Sequence, residues 1–141
     1  MTTPDLYQAI ALQLTTVSVG HLRHPHDVRE QIHRNVARVA GAISASIRFL
    51  GAYNGTPVRL CVLPEYGLTG APVPGSFADW RTKAAIPVEG DVYDALGLIA
   101  RTHNIYLAGN AYEGVGIADC VRSGEEAAER IFNAQEVKRR F

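Results

Sequence analysis

The stretch RLCVLPEYGLTG, Arg59 to Gly70, decides how the rest of the chain is read. Leu60 to Pro64 is a short apolar run bounded by Pro and Gly, which predicts a buried strand of an α/β sheet. The run then delivers a carboxylate, Glu65, directly after Pro64. Proline lacks a backbone donor and fixes its own φ, so the strand stops pairing there and the carboxylate is held in a constrained position. In parallel α/β sheets, ligands collect beyond the carboxyl ends of the strands. A partly desolvated carboxylate at such a place is readily tuned into a general base. The same residue type also serves structurally, capping a loop or pairing with a nearby arginine. Both roles are open for Glu65 on chemistry alone.

Working outward, Tyr7–Val17 is rich in apolar and β-branched residues and alternates Ile10, Leu12 and Leu14, as a strand does. HLRHPHD (21–27) makes a loop, and Asp27 with Glu30 three residues on predicts a helix N-cap. Val28, Ile32, Val36, Val39, Ile43, Ile47 and Leu50 then recur at steps of three and four. They form the apolar stripe of one long helix over Asp27–Leu50. Asn54-Gly55 is a turn signal. After the central strand, Arg59–Pro64, a Gly- and Pro-rich loop runs from Tyr66 to about Gly90. Val92–Thr102 is a second helix, and Ile105–Asn110 a third strand. Ser123–Phe141 combines strong helix formers with RIFNAQEV, which suits either helix or strand. The order β-α-β-loop-α-β predicts a largely parallel sheet with helical crossovers.

A length of 141 residues allows one domain with one core, 1–141. Hydrophobic residues at 47% and charged ones at 20% exclude a disordered chain. Lys+Arg and Asp+Glu both number 14, so charge points to neither nucleic acid nor an anionic membrane as partner. The N-terminus lacks the basic and apolar regions of a signal peptide, and no apolar segment is long enough to span a bilayer. Cys61 and Cys120 form no disulfide framework, which suits a reducing cytoplasm.

Other chemistry-bearing residues carry weaker signals. His21, His24 and His26 have no partner group at metal-ligand spacing and read as a solvated loop, so no metal is expected. His103 ends a helix and is placed to meet its last carbonyls. Gly114-Val115-Gly116 lacks the third glycine and following helix of a dinucleotide fingerprint, and no phosphate-binding loop occurs, so no cofactor is expected. Trp80 in the long loop reads as packing.

VLPEYGLTG (62–70), followed by AIPVEGDVYDALGLIARTHNIYLAGNAYE (85–113), resembles the nitrilase (carbon–nitrogen hydrolase) superfamily. That family carries an apolar strand ending in Pro-Glu, a short segment closing in Ser/Thr-Gly, and a helix–strand unit like 85–113. The similarity covers about Tyr7 to Glu113, with a weaker echo of a later family strand at Phe132-Asn133-Ala134. The resemblance implies an α-β-β-α sandwich, of which this chain supplies about the N-terminal half, truncated at the C-terminus. It also implies a hydrolase cleaving non-peptide carbon–nitrogen bonds in small amides, nitriles or N-carbamoyl compounds, homo-oligomeric when complete.

Members use a Glu-Lys-Cys constellation, in which glutamate deprotonates the thiol, the thiolate attacks, and lysine stabilises the developing charge. Glu65 matches the glutamate, as general base. The lysine and nucleophilic cysteine have no match. Lys138 lacks the Tyr-Arg-Lys-like context of the family lysine. Cys61 lies four residues before Glu65 on an extended strand, roughly 13 Å away, and Cys120 precedes the place of the lysine. The alternative to an enzyme part is a non-catalytic α/β module that binds a ligand or partner.

Overall fold

The computed structural model of the chain describes residues 6–73, 77–87, 89–109, 122 and 124–133. It is a mixed α/β structure around a three-stranded parallel sheet in the order β1-β2-β3. β1 is Gln8–Ala11, β2 Val58–Val62 and β3 Tyr106–Ala108. Ala9, Leu60 and Tyr106 lie side by side across the strands, as do Ile10, Cys61 and Leu107. The sequence-predicted central strand is therefore central.

Strand alternation separates the two faces. Ile10, Cys61 and Leu107 turn toward the main core, where they meet the stripe of helix α1 (Pro25–Asn54) and Val92 and Leu96 of helix α3 (Asp91–His103). Val28, Ile32, Val36, Val39 and Ile43 are all at most 5% exposed. Burying each such side chain contributes about 1.5–3 kcal/mol, so the stripe is a large share of what holds the helix to the sheet. Leu60 and Tyr106 turn the other way. There Tyr106 Oη reaches the Arg130 carbonyl at 3.5 Å, in a helical segment over 124–133 that we label α4. Ala127 and Ile131 of α4 are buried yet stand outside the main core cluster, so α4 lies over the second face. The tail that suited helix or strand is helical over 124–133. Phe132 and Asn133 stand in that helix, not in the strand that the family resemblance implies; Ala134 lies outside the described residues.

Several boundaries differ from the sequence reading for identifiable reasons. The first strand pairs only over Gln8–Ala11. Leu12 N still donates to the Val62 carbonyl at 2.9 Å, but β2 ends there and residues 13–17 find no strand partner. Helix α1 starts before Asp27: His24 is the N-cap, its ring accepting from His26 N, and Pro25 opens the first turn. Proline's preset φ suits that position, and Asp27 becomes a first-turn acid favourable to the helix dipole. At the other end α1 continues past Leu50 to Asn54 and stops at left-handed Gly55, φ 63°. The presumed loop 66–90 contains a helix, α2 (Phe77–Ala84), whose Trp80 and Ala84 pack on the core. Flanking Gly and Pro had hidden this short element. His103 closes α3, but its ring nitrogen lies 2.9 Å from Ser44 Oγ of α1 rather than on its own helix carbonyls. Asn104 caps α3 in the left-handed conformation, which asparagine tolerates. Asn110, Gly114–Gly116, Cys120 and Lys138 lie outside the described residues. No helix among the described residues is long and apolar enough to cross a membrane.

Candidate functional site

Because the sheet is parallel, the carboxyl ends of all three strands share one edge. β2 reaches it first through Leu63, whose N–H donates to the Ala108 carbonyl at 2.8 Å, and then Pro64 ends the ladder. Two tight turns follow, closed by Gly67 N to Pro64 O at 3.0 Å and Gly70 N to Tyr66 O at 2.8 Å. Glu65 stands in the first turn with its side chain exposed to solvent.

Tyr66 has φ 56°, a left-handed conformation that is strained for an aromatic residue and stores about 1–3 kcal/mol. The Glu65 charge beside it raises the Tyr66 phenol pKa, with desolvation and a side-chain hydrogen bond to Glu65 adding to the effect. Among the described residues no lysine or arginine forms an ion pair with Glu65.

The turn is fixed from beneath by Asn35, which is 2% exposed on α1. Its Nδ2 donates to two carbonyls, Val17 and Leu68, each at 2.9 Å, while its Oδ1 accepts from Gln31 Nε2 at 3.1 Å. The chain beyond β1 is thereby tied to the turn beyond β2. Further ties run from Val19 N to the Thr69 carbonyl at 2.9 Å, Ser18 Oγ to the Ala71 carbonyl at 2.8 Å and Thr16 Oγ1 to the Gly67 carbonyl at 3.3 Å. At Gly70, φ 71°, a Cβ would stand 2.3 Å from Ser18 Cα, so only glycine lets the two segments approach this closely. Sequence reasoning missed Asn35 and Tyr66. Asn35 carried a signal: it falls three residues after Ile32 and four before Val39, a polar residue on the apolar stripe.

The other sequence candidates are not gathered at Glu65. Cys61 is fully buried on the core-facing side of β2, and burial pushes its thiol up to about 12. A thiol that stays protonated at neutral pH is not a nucleophile. Lys83, on α2 and not one of those candidates, donates to the Gly20 carbonyl at 3.0 Å. His21, His24 and His26 are exposed. His26, Asp27 and Glu30 bring one ligand atom each within 4.8 Å of one another, all three are exposed, and Glu30 is already paired with Arg34; His24, outside that group, caps the helix.

Fold and site together define an α/β protein with an exposed carboxylate at the carboxyl end of its central strand. No family model, no curated protein and no solved structure matches the chain.

Proposed function

We propose that the chain is the N-terminal part of a nitrilase-superfamily hydrolase acting on amide, nitrile or N-carbamoyl substrates, with Glu65 as general base. The observation that supports this reading is the placement of Glu65. It follows Pro64 at the carboxyl end of a central parallel strand, faces solvent, and rests on a turn braced by a buried amide. A fixed, accessible carboxylate can take a proton from a nucleophile brought to it. In this reading the lysine and cysteine come from chain outside these 141 residues, and the complete enzyme is a cytoplasmic homo-oligomer. The 141 residues alone then release no ammonia from nitriles, amides or N-carbamoyl compounds, since the base has no thiol to activate. The decisive test is the coding sequence after Phe141. A Tyr-Arg-Lys-like stretch and a later cysteine, in a chain whose ammonia release is lost in Glu65→Gln, would support the proposal. A stop codon directly after Phe141, or activity unchanged in Glu65→Gln, would refute it.

One observation favours the alternative, a non-catalytic α/β binding module. The helix α4 occupies the sheet face against which the family's second sheet packs. Ligand binding by the 141-residue chain that is lost in Glu65→Gln without any turnover would support that reading.

A further inference from the structure

Basic and acidic residues, 14 of each, balance over the whole chain but not along the layer that α1 and α3 form. The two helices lie side by side and run the same way. His33 stands 2.9 Å from Asp91 toward one end, and Ser44 stands 2.9 Å from His103 toward the other. The acids of the pair, Asp27, Glu30, Asp91 and Asp94, gather near the N-terminal ends, where they suit the helix dipoles. Bases are matched there: Arg29 lies 3.6 Å from Asp91, and Arg34 is paired with Glu30. Past Glu30 in α1 and Asp94 in α3 no acid follows, whereas Arg38, Arg48 and Arg101 do. These three are exposed, turn away from the buried stripes at 100° per residue, and have no ion-pair partner among the described residues. Large apolar side chains stand among them. α3 ends level with Ser44, and from Ala45 to Asn54 α1 runs on past it for about 15 Å. Phe49 and Tyr53 lie on this overhang, 63% and 73% exposed, with ring centroids 4.8 Å apart. Leu98, on the outer side of α3, is 60% exposed.

We propose that this C-terminal half of the helix layer docks on an anionic lipid bilayer. The charge argues for the occupant: three unmatched guanidiniums on one face, with no carboxylate among them, attract a surface of phosphate and carboxylate headgroups. The apolar side chains argue for a bilayer rather than another polyanion. A membrane interface takes arginine at the headgroups and Phe, Tyr and Leu just beneath them. A nucleic acid would meet the same arginines but offers no apolar layer to Leu98. Shape agrees as well. Gly41 and Ala45, both exposed, lie between Arg38 and Arg48 and let the helix approach a plane closely, while the arginines reach sideways on their long stems. With three arginines and a few apolar side chains, the contact is weak and reversible. Its place leaves the carboxylate edge open. α1 runs from the carboxyl ends of the strands back to their amino ends, so the overhang lies at the far end of the sheet from Glu65. The inference does not rest on the reading of Glu65.

Co-sedimentation of the 141-residue chain with vesicles tests this. Vesicles of phosphatidylcholine with about one-third phosphatidylserine should carry the chain down, and phosphatidylcholine alone should not. Raising the salt should release it, since screening shortens the reach of the arginines. Arg48→Gln should weaken the partitioning about fivefold, and Arg38→Gln with Arg48→Gln about twenty-fivefold. Phe49→Ser should weaken it about tenfold, with the salt dependence kept. Arg23→Gln, an exposed arginine before α1, should change nothing. Each of these side chains is exposed, so the melting curves of the variants should match the parent. A chain that stays in solution with the anionic vesicles overturns the proposal. So does equal binding to both compositions, or a loss in Arg23→Gln as large as in Arg48→Gln. Binding to a single-stranded oligonucleotide but not to vesicles, weakened by Arg48→Gln, would assign the face to nucleic acid and also overturn it.

Discussion

Beyond Leu12 and Leu63 the strand ladder ends, and the segments that follow are tied by Thr16, Ser18 and Val19 and, from beneath, by Asn35. Its amide satisfies the buried Leu68 carbonyl and the part-buried carbonyl of exposed Val17. Asn35→Ala orphans the Leu68 carbonyl and should destabilise the chain by about 1–3 kcal/mol, the cost of one unsatisfied buried group. Urea unfolding followed by circular dichroism measures this. A change below about 0.5 kcal/mol, the size of a neutral surface substitution, would mean that water replaces the amide. Cys61 supplies a second residue-scale prediction. Its folded pKa of about 12 lies above the ordinary value of 9.0. Stability linked to this thiol is therefore full below pH 9 and lost as pH rises toward 12. In a Cys120→Ser background, native Cys61 should resist iodoacetamide at pH 8 and react readily in denaturant. Fast alkylation of the native chain would show that the thiol is open to solvent.

At the scale of elements, legibility followed the kind of signal each segment carried. The long helix was plain because seven apolar residues kept one stripe, and the central strand because Pro and Gly bounded its apolar run. The first strand was read too long, since alternation in Leu12 and Leu14 records burial, not pairing, and only pairing makes a strand. α2 was hidden because Gly and Pro around it set the reading of the whole loop. The place of Glu65 at a strand end was legible, but its brace was not, since Asn35 is 33 residues distant from Leu68 in sequence. The clasp between α1 and α3 was equally invisible. Asp91 Oδ2 lies 2.9 Å from His33 Nε2, Asp91 Oδ1 accepts from Val92 N at 2.9 Å, and Arg29 stands 3.6 Å away. The hydrogen bond to His33 leads in lowering the Asp91 pKa, helped by the Val92 N–H and the His33 and Arg29 charges. A lowered carboxyl pKa contributes stability above the unfolded value, lost as pH falls through the folded one. Asp91→Asn should therefore lower Tm at neutral pH, with the gap to the parent chain narrowing in acid and in high salt. A gap that stays constant into strong acid would show that the aspartate acts there only through shape.

For the whole molecule, the balance between the two faces of the sheet decides whether the chain is stable alone. The face carrying Ile10, Cys61 and Leu107 is sealed by α1 and α3 with fully buried aliphatic side chains. The face carrying Leu60 and Tyr106 has a thinner cover among the described residues. There Ala127 and Ile131 of α4 are buried, while Leu6, Tyr7 and Phe132 remain 74%, 38% and 60% exposed. An apolar sheet face with so light a cover, in a sheet whose edge strands among the described residues are β1 and β3, recruits other chains when the cover is lost. Ile131, 3% exposed, is the residue that should hold it in place. Ile131→Asp would bury a carboxylate without a partner and should detach α4 rather than accept that cost. The expected result is a chain that binds a hydrophobic dye, melts over a broad range and sediments as irregular oligomers. A chain that carries Ile131→Asp yet melts cooperatively at the parent temperature, with no dye binding, would show that the second face needs no cover from α4. The main core under α1 would then suffice to hold the fold.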